Sequence, residues 1–386
     1  MTIHPGLAGG PIYLDYNATT PVDPAVAEAM WPYLTQHFGN PSSTHAYGQQ
    51  AHAAVVQARQ QVSDLLECAP EEIVFTGGGS EGDNLAIRGL ALALREHGKH
   101  IITQATEHPA VLNTCRALER LHGFQITYLP VDEHGQISLS ALAEALRDET
   151  ILVTIMHANN ETGTLQPLAE IARIAHRRGA LVHSDAAQSV GKIPVRPREL
   201  GVDLLTVAGH KLYAPKGIGA LYVRSGLLQA LEPVIYGGGQ ESGRRAGTES
   251  VAGIVALGKA CQLAAEQLPA SLPRLQALRE RLHTLLEQSL PGRVHLNGHP
   301  DERLPNTLNI SIDGVVGEEL LASIPDLASS TGSACHEGST EPSPVLTAMG
   351  LPRARALAAL RLTLGRWTSE QQVEEAARLL VKAAQS

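Results

Sequence analysis

Lys211 closes the run Ala208-Gly209-His210-Lys211, directly after the apolar stretch Asp203-Leu204-Leu205-Thr206-Val207. Asp185 stands in Ser184-Asp185-Ala186-Ala187-Gln188, directly after the strand-like Ala180-Leu181-Val182-His183. An amine and an acid at the ends of two neighbouring strands suit a Schiff-base site. The lysine forms an imine with pyridoxal phosphate, and the acid keeps the pyridine nitrogen protonated so that the ring accepts electrons. Taken alone, the same residues also describe a solvated lysine after a strand, the commoner case.

Other stretches offer compatible chemistry. Thr76-Gly77-Gly78-Gly79-Ser80-Glu81-Gly82 follows a strand-like run and opens a helical pattern. Its glycines let backbone N–H groups approach an anion, the helix N-terminus favours negative charge, and Ser80 adds a hydroxyl. It reads as a phosphate cup or as a tight turn with an N-cap. It is not a Walker motif, because no Gly-Lys-Ser/Thr follows. His108, in Glu107-His108-Pro109-Ala110, is either a proton relay over a planar cofactor or one loop histidine among 17. Asn159-Asn160 suits a ligand oxygen or a turn. The segment Gly237–Thr248, with Arg244-Arg245, either wraps a phosphate, crosses a subunit boundary or is a surface loop. Arg361 interrupts the alternating strand Ala359–Leu364 and, facing inward, needs an anion such as a substrate carboxylate; a salt bridge or an outward orientation are the alternatives. Cys335 lies among small residues in Ser329-Ser330-Thr331-Gly332-Ser333-Ala334-Cys335-His336. Buried cysteines prefer apolar surroundings, so this context points to an exposed, reactive thiol.

The elements that must position these groups alternate. Strand-like runs fall at Ile73–Thr76, His100–Thr103, Gln125–Tyr128, Ile151–Met156, Leu181–Ser184, Leu204–Val207 and Ala220–Val223, with helical patterns between several of them. That alternation predicts an α/β fold with a mostly parallel sheet covered by helices. Ligands of such sheets bind beyond the carboxyl ends of strands, where Gly77–Ser80, Asp185 and Lys211 fall. After Gly253 the pattern changes to two helices, Ser250–Gln267 and Leu272–Ser289, then short strands at Thr307–Ile312, Leu327–Ser329 and Leu360–Leu364, and a helix from Ser369. This predicts a smaller α+β domain, with the extended N-terminus packed against it.

Length and composition agree with a soluble two-domain protein. The chain has 386 residues, 43% hydrophobic and 18% charged, with a net charge of −9. The acidic balance argues against nucleic-acid binding. No apolar run reaches the ~20 residues needed to span a bilayer, and the N-terminus lacks a basic region followed by an apolar stretch. The four cysteines (Cys68, Cys115, Cys261, Cys335) show no zinc-site spacing, so no metal is expected. A cytoplasmic location is expected.

Taken together, Tyr13-Leu14-Asp15-Tyr16-Asn17-Ala18-Thr19-Thr20-Pro21, the glycine cup, Thr106-Glu107-His108, Asn159-Asn160-Glu161, Asp185-Ala186-Ala187-Gln188-Ser189, Gly209-His210-Lys211 and Gly332-Ser333-Ala334-Cys335 resemble the cysteine desulfurases, class V aminotransferase-like enzymes, in order over nearly the whole chain. The segment from Cys335 to Ser343 is similar to the long-loop class used in iron–sulfur cluster assembly and nitrogen fixation. The resemblance implies pyridoxal phosphate fold type I: a large domain, 16–260, with a mostly parallel seven-stranded sheet, and a small α+β domain, 1–15 and 261–386, carrying the cysteine loop. It implies that L-cysteine becomes L-alanine while Cys335 takes the sulfur as a persulfide. Lys211 would form the Schiff base, Asp185 meet the pyridine nitrogen and Gln188 the ring oxygen. His108 would stack on the ring and act in proton transfer. Gly79, Ser80 and His210 would hold the phosphate, and Thr248 that of a partner subunit in a homodimer. Asn160 and Arg361 would orient the substrate carboxylate. A sulfur-acceptor protein, such as an iron–sulfur scaffold, is the implied partner. A selenocysteine lyase, a simple aminotransferase and a non-enzymatic scaffold on the same fold are the alternatives. Two departures stand out. Ala208 replaces a common Ser or Thr, and the cup is richer in glycine than its relatives, so weaker cofactor retention is expected. The chain also ends soon after its last helix, so the scaffold-docking tail of some relatives is not expected here.

Overall fold

The computed structural model describes residues 3–331 and 341–386. A short β1 (Ile12–Tyr13) is followed by the helices Pro24–Thr35 and Ala46–Leu66 and then by the main sheet: β2 (Ile73–Thr76), β3 (His100–Gln104), β4 (Gln125–Leu129), β5 (Thr150–Thr154), β6 (Leu181–Asp185), β7 (Leu204–Ala208) and β8 (Gly219–Val223). The strand order is β2-β8-β7-β6-β5-β3-β4. Only β8 runs antiparallel to its neighbours. Each strand coincides with an expected run to within two residues at either end.

Strand side chains alternate between faces, and both faces are covered here. Ile102, Val153, Val182, Leu205 and Ala220 join one core, shared with Ala51, Val55 and Leu257. Ile101, Leu152, Leu204 and Leu221 join the other, shared with Leu85, Leu90, Val111 and Leu118 of the helices Gly79–Leu94 and Pro109–His122. Burial on both faces is why these strands read as continuous apolar runs.

A further core forms around β9 (Val294–Leu296), β10 (Thr307–Ile312), β11 (Leu327–Ala328) and β12 (Ala359–Thr363). β12, β10 and β9 form an antiparallel sheet, and β11 pairs in parallel with β1. Leu14 of the N-terminal segment packs there with Leu308, Leu362 and Leu380.

The expected helix pair is a single helix, Val251–Ser289, with Pro269 and Pro273 inside it. Proline disfavours a helix interior by removing an N–H and crowding the preceding turn. Here packing overrides that cost. Residues up to Ala264 bury against the main-sheet side, where Leu257 and Cys261 lie, and Leu275, Leu278, Leu282 and Leu286 bury in the other core. Both prolines fall between the two buried stretches. Among the described residues no helix is long and apolar enough to cross a membrane.

Candidate active site

Lys211 ends a 3₁₀ turn, Gly209–Lys211, immediately after β7. A Cβ on Gly209 would lie 2.7 Å from the Ile218 carbonyl oxygen, so only glycine lets the chain turn this close to β8. The Lys211 Nζ donates to the carbonyls of Asn17 (2.6 Å) and Ala18 (2.7 Å). Burial, aided by Arg361 and opposed by Asp185 and Asp15, lowers its pKa to about 8. A neutral amine can keep both of these hydrogen bonds and still present its lone pair.

Asp185 is buried at the end of β6, and its Oδ1 accepts from the Ala187 amide at 2.9 Å. Burial raises its pKa, while that amide, His108 and Lys211 pull it down. Two more buried carboxyls, Asp83 and Glu107, feel its charge and are also raised, chiefly by burial. Neighbouring carboxylates disfavour one another's ionisation. Asp185 is the one of the three whose charged form is favoured by Lys211 and His108. His183, fully buried between Thr154 and Thr206 hydroxyls at 2.9 and 3.0 Å, is driven to about 3 by burial and stays neutral. His108 opens the helix Pro109–His122, its Nδ1 accepting from the Ala110 amide at 3.2 Å. That bond leaves Nε2 as the protonated nitrogen of the neutral ring. Desolvation lowers its pKa against the pull of Asp185.

The glycine cup is the N-terminus of the helix Gly79–Leu94. Its N-cap, Gly78, has φ 140° and makes no side-chain cap. Space beside Gly78 is open, and Ser80 is exposed. Gly79 is wedged in place: a Cβ there would stand 3.2 Å from the Ala208 Cβ. The Gly77 amide donates instead to Glu81 Oε2 at 2.9 Å, and Glu81 pairs with Arg245 at 3.0 Å. An uncapped helix start with a free hydroxyl suits an anion. His210, lowered to about 4 mainly by burial, lies 3.1 Å from the Thr19 hydroxyl. The Arg245–Glu81 pair ties the loop of Thr248 to the cup; Thr248 itself is exposed.

The two asparagines separate cleanly. Asn159 is buried and builds the turn, its Oδ1 accepting from the amides of Glu161 (2.9 Å) and Thr162 (3.0 Å). The Asn160 carbonyl accepts from Arg361 at 3.3 Å, so the structure brings Asn160 and Arg361 together. Arg361 is buried and faces inward on β12, paired with Asp15 at 2.9 Å.

Three residues to which sequence reasoning gave no role complete the floor. Asn17 is buried and fully engaged. Its carbonyl receives Lys211 and Gln188 Nε2 (3.0 Å), its Oδ1 receives Lys192 Nζ (2.9 Å), and its Nδ2 donates to Thr307 Oγ1 (2.9 Å). Lys192 Nζ also donates to Gln188 Oε1 at 2.7 Å, which fixes the orientation of the Gln188 amide. Asp15 is the third. Asp15 and Asn17 lay in the run Tyr13–Pro21, whose character is visible in the sequence. Nothing in Gly191-Lys192-Ile193-Pro194 signals a buried amine.

Cys335 lies outside the described residues. Cys68, Cys115 and Cys261 are free thiols pushed up to about 12, chiefly by burial, which leaves them unreactive near neutral pH.

These groups fit pyridoxal phosphate. An uncapped helix start with Ser80 would suit its phosphate, the Asp185 carboxyl its ring nitrogen, and the Lys211 amine its aldehyde carbon. The comparisons with known proteins agree. The cysteine desulfurase IscS of Klebsiella pneumoniae is 49% identical over 376 residues, 97% of this chain and 92% of that protein. A solved NifS-like protein superposes with a TM-score of 0.89 at 36% identity, covering 96% of this chain and 98% of that one. The structure of SspA in complex with cysteine superposes with a TM-score of 0.81 at 41% identity, covering 91% and 98%. The family model for class-V aminotransferases matches residues 12–376, and the chain belongs to that family.

Proposed function

We propose that the chain is a pyridoxal phosphate-dependent cysteine desulfurase that converts L-cysteine to L-alanine and leaves the sulfur as a persulfide on Cys335. The observation that carries this reading is the buried Lys211 amine, its pKa lowered to about 8, which feels the charges of both Arg361 and Asp185. When bound, pyridoxal phosphate supplies an electron sink for the charge that develops at the substrate Cα. Lys211 takes the Cα proton, acting as a base poised near neutral pH. Asp185 holds the proton on the ring nitrogen, Gln188 meets the ring oxygen, and His108 covers the ring face and moves protons. Gly79, Ser80 and His210 hold the phosphate, and Thr248 reaches that of the partner subunit. Arg361 and Asn160 hold the substrate carboxylate. The Cys335 thiolate attacks the substrate sulfur: an S–S bond forms as the Cβ–S bond breaks, and carbon keeps the bonding pair and is protonated.

The same reading includes a homodimer, a sulfur-acceptor protein and a cytoplasmic location. It also divides the chain into a cofactor-binding domain, 16–260, and a domain of 1–15 and 261–386 that presents the cysteine. Four exposed apolar residues in one stretch of the chain, Trp31, Leu34, Phe38 and Tyr47, the last two stacked at 5.2 Å, support the dimer. Exposed large apolar side chains that adjoin one another commonly mark a protein interface. Cys335→Ser tests the function: the variant should keep the yellow cofactor colour and lose all persulfide formation from L-cysteine. Full sulfide release by that variant overturns the assignment.

A further inference from the structure

Arg361, proposed above to hold the substrate carboxylate, already holds one. Asp15 Oδ1 lies 2.9 Å from its Nη2. Its Nη1 donates to the Asn160 carbonyl at 3.3 Å, and its Nε is buried with no hydrogen-bond partner among the described residues. The two partners differ in what holds them. Arg361 is buried on β12, and its backbone is bonded to Ser330 (Arg361 N to Ser330 O, 2.7 Å). Asp15 is more open, 20% exposed against 8% for the Arg361 side chain, and has a second side-chain partner in the Ser330 hydroxyl at 3.2 Å. If the pair separates, Asp15 retains Ser330 and reaches water, whereas Arg361 is left with a buried charge that needs another anion.

We propose that Asp15 is a built-in competitor at the carboxylate site: its carboxylate occupies Arg361 in the free protein, and a ligand is admitted only by taking Arg361 from it. This rests on the reading of Arg361 as the carboxylate-binding group. Every carboxylate bears the cost of displacing Asp15. A ligand with further anchors, such as an amine reaching the Lys211 position, recovers that cost; a bare carboxylate does not. The competitor weakens all carboxylates alike, so at a given concentration only those with further anchors fill the site.

The test is binding, read without turnover. Propionate carries the carboxylate but no amine or thiol, and propionamide is its neutral counterpart. Both are titrated calorimetrically into the cofactor-loaded protein at high salt, where through-water charge effects are screened. If the free protein has Arg361 released in about one molecule in ten, removing the competitor tightens binding about tenfold. Asp15→Asn should therefore bind propionate about tenfold more tightly, with propionamide unchanged. Arg361→Gln should abolish propionate binding, alone or combined with Asp15→Asn. Propionate affinity that is unchanged or weaker in a folded Asp15→Asn protein overturns the proposal while leaving Arg361 as the carboxylate group. Propionate affinity that survives Arg361→Gln overturns both. If Asp15→Asn does not fold, Asp15→Ser is read in the same way.

Discussion

Lys211 shows how one depressed pKa organises a site. Its folded value of about 8 lies below the ordinary 10.5, so the amine is charged below pH 8 and neutral above it. At pH 8 about half of it is neutral, against about 0.3% of an ordinary lysine. In the cofactor-free protein, methylation at Lys211 followed by peptide mass analysis should rise with pH to a midpoint near 8 and outpace the exposed lysines at that pH. A midpoint near 10.5 contradicts the account. Much of this was legible in the sequence, because Lys211, Asp185 and the cup each follow a strand and so fall at one edge of the sheet. What was not legible depends on distant chain segments. Lys192 carries no local signal of burial, yet it is buried with its amine on Asn17 and Gln188. Asn159 and Asn160 are indistinguishable in sequence and differ only in which one closes the turn on Glu161 and Thr162.

At the scale of elements, the seven central strands were readable because a sheet buried on both faces gives short apolar runs bounded by turns. The long helix Val251–Ser289 was misread as two because proline is a local signal and the packing that overrides it is not. The same helix lies very close to Ala46–Leu66. A Cβ on Gly258 would come within 2.6 Å of the Ala58 Cα and 2.5 Å of Gln61 Oε1. Gly258→Ala should cost about 1–3 kcal/mol through overpacking, despite the better helix propensity of alanine. Urea unfolding measures this, and a variant as stable as the parent contradicts the close packing. The short β9 escaped notice because three half-buried residues at a sheet edge leave almost no pattern.

At the scale of the molecule, the site draws on both cores. Lys211, Asp185 and the cup come from the main sheet, and Arg361 comes from β12. The segment Asp15–Asn17 links them, joining Arg361 on one side and Lys211 on the other. The proposed homodimer would cover the apolar group at Trp31, Leu34, Phe38 and Tyr47. Sedimentation should give a dimer for the parent and a monomer for Trp31→Glu combined with Phe38→Glu; a parent that sediments as a monomer contradicts the shared-site reading. The central claim is that sulfur leaves the substrate for Cys335. The most direct measurement is the mass of the cofactor-loaded protein after brief exposure to L-cysteine, followed by peptide mapping. The account predicts a gain of one sulfur atom, removed by reductant and located on the peptide containing Cys335. Release of alanine with no sulfur on the protein, or sulfur found on Cys68, Cys115 or Cys261 instead, would contradict it.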